Sequence, residues 1–201
     1  MCTAVTYQTK DHYFGRNLDL EYSYQEAVTI TPRNFPFHFR KMPAMERHYA
    51  MIGMAFADYG YPLYYDAMNE HGLCMAGLNF PHSGVYAPAQ KGDVASFELI
   101  PYVLGQCQSV DEAKACLAKI RVCDTAFSAD FPPTRLHWMI ADATASVVVE
   151  MVAQGLQVYD NPIGVMTNEP TFDRQLAHWE SFAHLTAQEP TPTPPHLGRG
   201  S

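Results

Sequence analysis

The order of short hydrophobic segments is the feature of this sequence that most restricts its possible folds. Strand-length runs separated by turn residues fill the first 80 residues, two helical segments follow, and further strand pairs precede a last helical segment. Short hairpin connections join antiparallel strands, whereas parallel strands need a long crossover between them. The order therefore predicts an α+β sandwich and not a fold built from βαβ units.

Hydrophobic alternation and helical spacing predict where the individual elements lie. The strands are expected at 2–8, 13–20, 27–31, 51–58, 63–68, 73–78, 136–141, 146–152, 158–160 and 163–167. The helices are expected at 95–107, 109–120 and 171–185. Ser109-Val110-Asp111-Glu112 has the form of a capping box, which marks the start of the second helix. Trp179 falls on the apolar face of the third helix and is expected in the core.

The chain length of 201 residues suits one domain, expected over 1–185. A domain of that size buries about 70% of its unfolded surface, so it needs no disulfide scaffold. From Thr186 the periodic pattern ends, and closely spaced prolines predict an extended, polyproline-like segment over 186–201.

Charge and hydropathy exclude several classes of protein. The formal net charge of −8 argues against nucleic-acid partners and anionic membrane surfaces. The basic segment 33–48 is therefore interpreted as a solvated loop and not as a nucleic-acid patch. The sequence contains no run of about 20 apolar residues that could span a membrane. Residues 1–20 are polar throughout, so no secretory signal and a cytoplasmic location are expected.

The cysteines and histidines do not form a metal-binding pattern. The five cysteines include no C-x-x-C pair, which suits reduced and mostly buried thiols. The nine histidines lack H-E-x-x-H or other paired spacing. No metal and no other cofactor is expected.

Cys2 stands directly after the initiator methionine. If Met1 is removed, one residue carries both a thiol, which can act as a nucleophile, and an α-amine with a pKa near 8, which can act as its base. The plainer interpretation is an incidental residue in a frayed terminus. The segment Phe14-Gly15-Arg16-Asn17-Leu18-Asp19-Leu20 favours the catalytic interpretation, because the predicted hairpin returns Arg16 and Asp19 to the side of Cys2.

Six motifs, in order along the chain to about residue 185, resemble the choloylglycine hydrolase family. That family groups conjugated bile salt hydrolases with penicillin V acylases, within the N-terminal nucleophile hydrolases. The resemblance implies a four-layer αββα fold, hydrolysis of linear amides and, by analogy, a homotetramer. The motifs are Cys2-Thr3, Gly15-Arg16-Asn17-Leu18-Asp19, Met68-Asn69-Glu70-His71-Gly72-Leu73, Ala76-Gly77-Leu78-Asn79-Phe80-Pro81, Leu136-His137-Trp138-Met139-Ile140 and Thr167-Asn168-Glu169-Pro170-Thr171-Phe172-Asp173.

The resemblance also implies roles for five residues. Cys2 matches the family's nucleophile, Arg16 its neighbouring arginine, and Asp19 the aspartate that orients the α-amine. Asn79 matches an asparagine that donates to the oxyanion, and Asn168 one that positions the N-terminal residue. A structural Arg16–Asp19 ion pair and two turn asparagines are the plainer interpretations, and which asparagine donates directly stays open.

The substrate is expected to be a glycine- or taurine-conjugated bile salt, because the details of the second and fourth motifs are more similar to bile salt hydrolases than to penicillin acylases. Penicillin V acylase and a non-catalytic binder of amphiphiles are the alternatives. Apolar residues that follow strands are candidates for contact with a steroid, although each is also an ordinary core or loop residue. They are Leu18, Leu20, Tyr24, Phe56, Tyr59, Tyr61, Phe127 and Phe131.

The family's chains continue beyond the stretch that resembles His196-Leu197-Gly198-Arg199-Gly200-Ser201. The resemblance implies that a C-terminal portion with further strands, helices and one more arginine of the site follows there. The expectation is therefore an incomplete domain, whose folding and activity need testing beside an extended chain.

Overall fold

The structure is a computed structural model that describes residues 1–19, 21, 23–58 and 60–182. Its strands are β1 (Thr3–Gln8), β2 (His12–Asn17), β3 (Ala27–Thr31), β4 (Met51–Asp58), β5 (Tyr61–Asn69), β6 (Cys74–Asn79), β7 (Val94–Ala95), β8 (Val122–Cys123), β9 (Leu136–Ala141), β10 (Ser146–Val152), β11 (Gly155–Asp160) and β12 (Val165–Thr167). Its helices are α1 (Leu99–Leu104), which follows a 3₁₀ turn at Ser96–Glu98, α2 (Val110–Leu117) and α3 (Phe172–Glu180).

Two antiparallel sheets form the centre of the fold. The larger has seven strands in the order β11-β10-β9-β6-β5-β4-β3, and the smaller has three in the order β12-β1-β2. Hairpin pairing joins β1 to β2, β4 to β5 and β9 to β10. β7 and β8 make a short parallel pair beside them.

Strand alternation gives the seven-stranded sheet two buried faces. On β10, Val147 and Val149 belong to the core that includes residues of α1 and α2, whereas Val148 belongs to the core between the two sheets. Cys2 and Ala4 lie in the inter-sheet core. The layers of helices, sheet and sheet are those of the predicted α+β sandwich, and they place the start of the chain between the sheets.

Two helices differ in detail from the sequence prediction. α1 is shorter than 95–107 because it begins after the 3₁₀ turn and ends at Gly105. Pro101 is tolerated in its first turn, where an N–H has no intrahelical acceptor. Ser109 caps α2 as expected by accepting the Glu112 N–H at 3.3 Å. The Glu112 carboxylate accepts the Gln108 N–H at 2.8 Å, one residue before the capping residue.

The prediction that Trp179 lies in the core is wrong. Phe172, at the start of α3, is fully buried, but Trp179 is 50% exposed. Only the first part of α3 therefore packs against the inter-sheet core, and the apolar spacing continues onto the surface. Residues 183–185 of the predicted helix, the segment 186–201 and the boundary between them lie outside the described residues.

None of the helices in the described ranges is long and apolar enough to cross a bilayer.

Candidate active site

A cavity of about 490 Å³ brings several of the predicted site residues together. Cys2, Arg16 and Asn79 line it, together with the five apolar candidates Leu18, Tyr24, Phe56, Phe127 and Phe131. A wider hollow of about 970 Å³ borders Arg16 and Leu18, but neither Cys2 nor Asn79 contributes to its lining. The smaller cavity is therefore the one in which the candidate nucleophile and a bound molecule can meet.

The β1–β2 hairpin holds the Cys2 backbone in place. Its register sets Asn17 opposite Thr3. The Asn17 side chain accepts the Thr3 N–H at 2.6 Å and donates to the Met1 carbonyl at 3.1 Å, so it binds the chain on both sides of Cys2. Cys2 itself is 4% exposed. Asn17 was assigned no role from the sequence, although it lies in the hairpin that was predicted there.

Arg16 connects the two sheets beside Cys2. It lies opposite Ala4 in the hairpin, and its Nη1 donates to the carbonyls of Gly77 at 2.9 Å and Tyr65 at 3.4 Å. These bonds hold a permanent positive charge on the cavity wall. The alternative Arg16–Asp19 ion pair is absent from the described residues, since Asp19 has another partner.

Asp19 forms an ion pair with the amino group of Met1. The hydrogen bond that the Met1 ammonium donates to this carboxylate raises the pKa of the amine above its ordinary value. While Met1 is present, the nitrogen of Cys2 is an amide and cannot accept a proton. A base at Cys2 therefore requires removal of Met1, which would leave the Asp19 carboxylate one residue from the new terminus.

Asn168 links Cys2 to the end of β6. Its Oδ1 accepts the Cys2 N–H at 2.6 Å, and its Nδ2 donates to the Asn79 carbonyl at 2.9 Å. In the part of the chain that is described, the Asn79 carboxamide makes no hydrogen bond to protein and borders the cavity. The two asparagines thus differ: Asn168 uses both ends of its carboxamide to bind backbone groups, and Asn79 has donors available for a ligand.

An aromatic wall, defined here as Phe56, Phe97, Phe127 and Phe131, forms the apolar part of the cavity. The rings of Phe56 and Phe131 stack at 5.3 Å, and those of Phe97 and Phe127 meet edge to face at 5.3 Å. Phe97 was not among the sequence candidates, because it fell inside the predicted helix 95–107.

Three of the predicted substrate-contact residues are not found in this cavity. Tyr61 packs between Phe37 and Phe97 in the helix-side core, and burial raises the pKa of its hydroxyl well above the ordinary value. Tyr61 is not among the residues that line the cavity, although its ring contacts Phe97 and Phe127, which do line it. Leu20 and Tyr59 lie outside the described residues.

No cluster of three or more metal-binding side chains occurs among the residues that the structure describes.

Comparison with known proteins identifies related enzymes. The family model for the choloylglycine hydrolase family, described as linear amide C–N hydrolases, matches residues 2–195. The chain is 50% identical over 192 residues to a bile salt hydrolase/transferase of Lactiplantibacillus plantarum, covering 94% of this chain and 59% of that protein. It is 41% identical over 195 residues to a bile salt hydrolase/transferase of Clostridium perfringens, covering 92% and 58%. The chain thus spans about three fifths of the length of these relatives.

Solved structures agree with the fold. A crystal structure of a variant of conjugated bile acid hydrolase from Clostridium perfringens superposes with a TM-score of 0.85 at 39% identity, covering 92% of this chain and 58% of that one. Penicillin V acylase from Agrobacterium tumefaciens gives a TM-score of 0.75 at 23% identity, covering 92% and 58%, which indicates a common fold alone. These neighbours confirm the predicted N-terminal nucleophile hydrolase sandwich.

Proposed function

The chain belongs to the choloylglycine hydrolase family of linear amide C–N hydrolases, and on that premise we propose that it hydrolyses the amide bond of glycine- or taurine-conjugated bile salts with Cys2 as nucleophile. One observation carries the proposal: Cys2, Arg16 and Asn79 line the same cavity as the aromatic wall. A reactive thiol and an apolar surface are what an amphipathic amide requires. The relatives that share 41–50% identity are named as bile salt hydrolases.

The reaction begins once Met1 has been removed. The free α-amine of Cys2 takes the proton of the thiol, and the sulfur attacks the amide carbonyl. The tetrahedral intermediate collapses when the protonated amine gives its proton to the leaving nitrogen of glycine or taurine. A thioester remains on Cys2, and water, deprotonated by the same amine, hydrolyses it to release the bile acid and restore the thiol.

The surrounding charges and donors assist these steps. The Arg16 guanidinium on the cavity wall favours the thiolate over the thiol. The Asp19 carboxylate, which binds the amine of Met1 in this chain, is placed to hold the protonated amine of Cys2 after processing. The Asn79 carboxamide can donate to the oxyanion, an interaction that contributes about 3 kcal/mol in known cases.

The cavity also suits the size of the substrate. Its volume of about 490 Å³ falls in the range of roughly 300–1,000 Å³ that is common for small-molecule sites. A steroid presents a rigid apolar face, for which the stacked rings of Phe56 and Phe131 form a matching surface.

Penicillin V acylase activity is the nearest alternative, since it uses the same kind of site, but the penicillin V acylase from Agrobacterium tumefaciens shares only 23% identity with this chain. A non-catalytic amphiphile-binding protein is the second alternative, and retention of Met1 would favour it. By family analogy we also propose a homotetramer, which light scattering of the purified protein would test.

Intact mass together with a glycocholate assay tests the proposal. We expect a mass lower by one methionine and release of glycine, and we expect Cys2→Ser to remove at least about 99% of the turnover while leaving the melting temperature unchanged. Retained Met1 with no release of glycine, in this chain and in one extended at the C-terminus, would refute it. Turnover of penicillin V but not of glycocholate would show that the chain is a penicillin V acylase and not a bile salt hydrolase.

A further inference from the structure

Glu169 joins two loops beside the cavity: the loop that follows Asn79 and the loop that contains Asn168. Its Oε1 accepts the N–H of His82 at 3.0 Å and the N–H of Ser83 at 3.2 Å. Its Oε2 accepts the Ser83 hydroxyl at 2.7 Å. One carboxylate thus takes three hydrogen bonds from a segment 86 to 87 residues earlier in the chain.

The bonds of Glu169 bear directly on Asn168, the residue before it. Asn168 uses both ends of its carboxamide, one on the Cys2 N–H and one on the Asn79 carbonyl. A small rotation of its backbone would lengthen both contacts together. The residue before Asn168 is fixed by the sheet, because Thr167 at the end of β12 pairs with Thr3 on β1. Two side chains anchor the loop after the strand: Glu169, and Gln175, whose Oε1 accepts the Thr167 N–H at 3.1 Å and whose Nε2 donates to the Pro170 carbonyl at 2.6 Å.

A second carboxylate binds the far end of the loop that contains Asn168 and Glu169. Glu150 on β10 accepts the Phe172 N–H at 3.0 Å and contacts His137 Nδ1 at 3.2 Å, with both side chains fully buried. The His137 ring stacks on Phe80, which follows Asn79, at 4.3 Å. The far end of the loop is therefore fixed in the core, and the end next to Cys2 is held by Gln175 and by Glu169, of which Glu169 joins it to the loop after Asn79.

The ionised form of Glu169 suits this role. Partial burial tends to raise its pKa, but the hydrogen bonds from Ser83 and from the N–H groups of His82 and Ser83 outweigh it and hold the pKa below the ordinary value. The carboxylate therefore remains an acceptor of all three bonds at neutral pH.

We propose that Glu169 is a positioning residue, which holds Asn168 so that Asn168 aligns Cys2 with the carbonyl under attack. The inference rests on the proposed amide hydrolysis, and it assigns to Glu169 no contact with the substrate. Loss of the anchor should reduce kcat with little change in KM, because the aromatic wall that binds the apolar part of the substrate belongs to other segments.

Three variants test the role of Glu169: Glu169→Ala, Glu169→Gln and Ser83→Ala. For Glu169→Ala we expect kcat for glycocholate to fall about 10- to 100-fold, the range that a misplacement near 1 Å produces, with KM within about twofold. Glutamine keeps one oxygen that can accept the two N–H bonds, so its kcat should recover to within about threefold of wild type. Ser83→Ala loses one bond of three, so its kcat should lie between those of Glu169→Ala and Glu169→Gln.

Asp142→Ala is the matched control. Asp142 likewise accepts a hydroxyl and backbone N–H groups, from Thr144 and Ala145 in its own loop and from Val110 at 2.7 Å. It lies at the opposite end of β9 from Leu136, which lines the cavity. Its variant should lose stability without a specific loss of kcat.

Alkylation of Cys2 by iodoacetamide, followed by peptide mass spectrometry, gives a readout that does not need turnover. Release of the Asn168 bond should expose Cys2 and raise its alkylation rate at least about threefold in Glu169→Ala, with Cys107 and Cys123 unchanged. A folded Glu169→Ala with wild-type kcat, or with the wild-type alkylation rate at Cys2, would overturn the inference. If the wild-type chain shows no hydrolysis at all, the proposed function fails but the alkylation result still decides the role of Glu169.

Discussion

Arg40 contacts two residues of the aromatic wall, Phe97 and Phe127, and its replacement should weaken the binding of a bile acid in the cavity. Its guanidinium lies 5.5 Å from the ring centre of Phe127 and 5.8 Å from that of Phe97, and its Nη2 donates to the Phe127 carbonyl at 3.1 Å. Its backbone N–H is bound separately, by Glu98 Oε1 at 2.6 Å. Arg40→Met would remove the charge and the side-chain bond, and would keep a flexible apolar chain of similar length.

The size of the effect follows from these contacts. Arg40 is exposed, so the hydrogen bond and the cation–π contacts together contribute about 1–2 kcal/mol. A free-energy loss of this size changes the equilibrium between the aromatic wall in place and the wall displaced by about 5- to 30-fold. If the whole of this loss falls on binding, the dissociation constant of a ligand that needs the wall in place rises by about 5- to 30-fold, and this is the increase we expect.

Calorimetric titration of cholate into the Cys2→Ser protein measures this binding without turnover. Arg47→Met is the control, since Arg47 belongs to the same basic segment 33–48 but borders a different surface hollow, beside Glu70 and His71. A cholate dissociation constant for Arg40→Met within about twofold of the parent would refute the reasoning. So would an equal weakening in Arg47→Met, because a general loss of positive charge would then explain both.

Two further predictions concern stability. In Gly53→Ala the new Cβ would lie 2.0 Å from the Asp66 carbonyl oxygen and 2.6 Å from the Ala67 Cα, so we expect a loss of about 2–3 kcal/mol and a melting temperature lower by about 5–10 °C. Gly15→Ala, with nothing within 4 Å, is the control and should change little in a thermal melt. Asp93 has its pKa lowered, chiefly by the hydrogen bond from Arg121, and its contribution to stability is present above the unfolded pKa near 4 and is lost as the pH falls through the folded value. Asp93→Asn should therefore reduce the drop in urea midpoint between pH 5 and pH 3, and an unchanged drop would contradict this assignment.

Much of the secondary structure could be predicted from the sequence because it depends on local periodicity. The runs rich in β-branched residues at Ala27–Thr31 and Ser146–Val152 predicted strands that the structure contains with the same bounds. The serine at 109 marked the start of α2, because a side-chain cap acts within one turn. Elements whose ends depend on tertiary contacts, such as α1 beside the 3₁₀ turn, were predicted less well.

The site shows the same division. Sequence motifs selected Cys2, Arg16, Asn79 and Asn168, and the structure sets Arg16 and Asn79 beside Cys2 in one cavity and joins Asn168 to the Cys2 backbone. Asn17 lies within the second motif, which assigned it no role, and no motif indicated Phe97 or Arg40, because each of these acts through a partner distant in sequence. Tyr61 was placed with the substrate on the basis of its position after a strand, yet its ring packs into the helix-side core.

By itself, the sequence determined the strand and helix content, the sandwich class and the chemical types of the candidate site residues, since these follow from residue type and local spacing. Only the tertiary structure decided that Asn168 holds Cys2, that Asp19 binds the amine of Met1, and that Phe97 replaces Tyr61 in the cavity wall. The physical reason is that hydrogen bonds and ring contacts between loops depend on how two sheets and their connections pack, and a period along one strand carries no information about that packing.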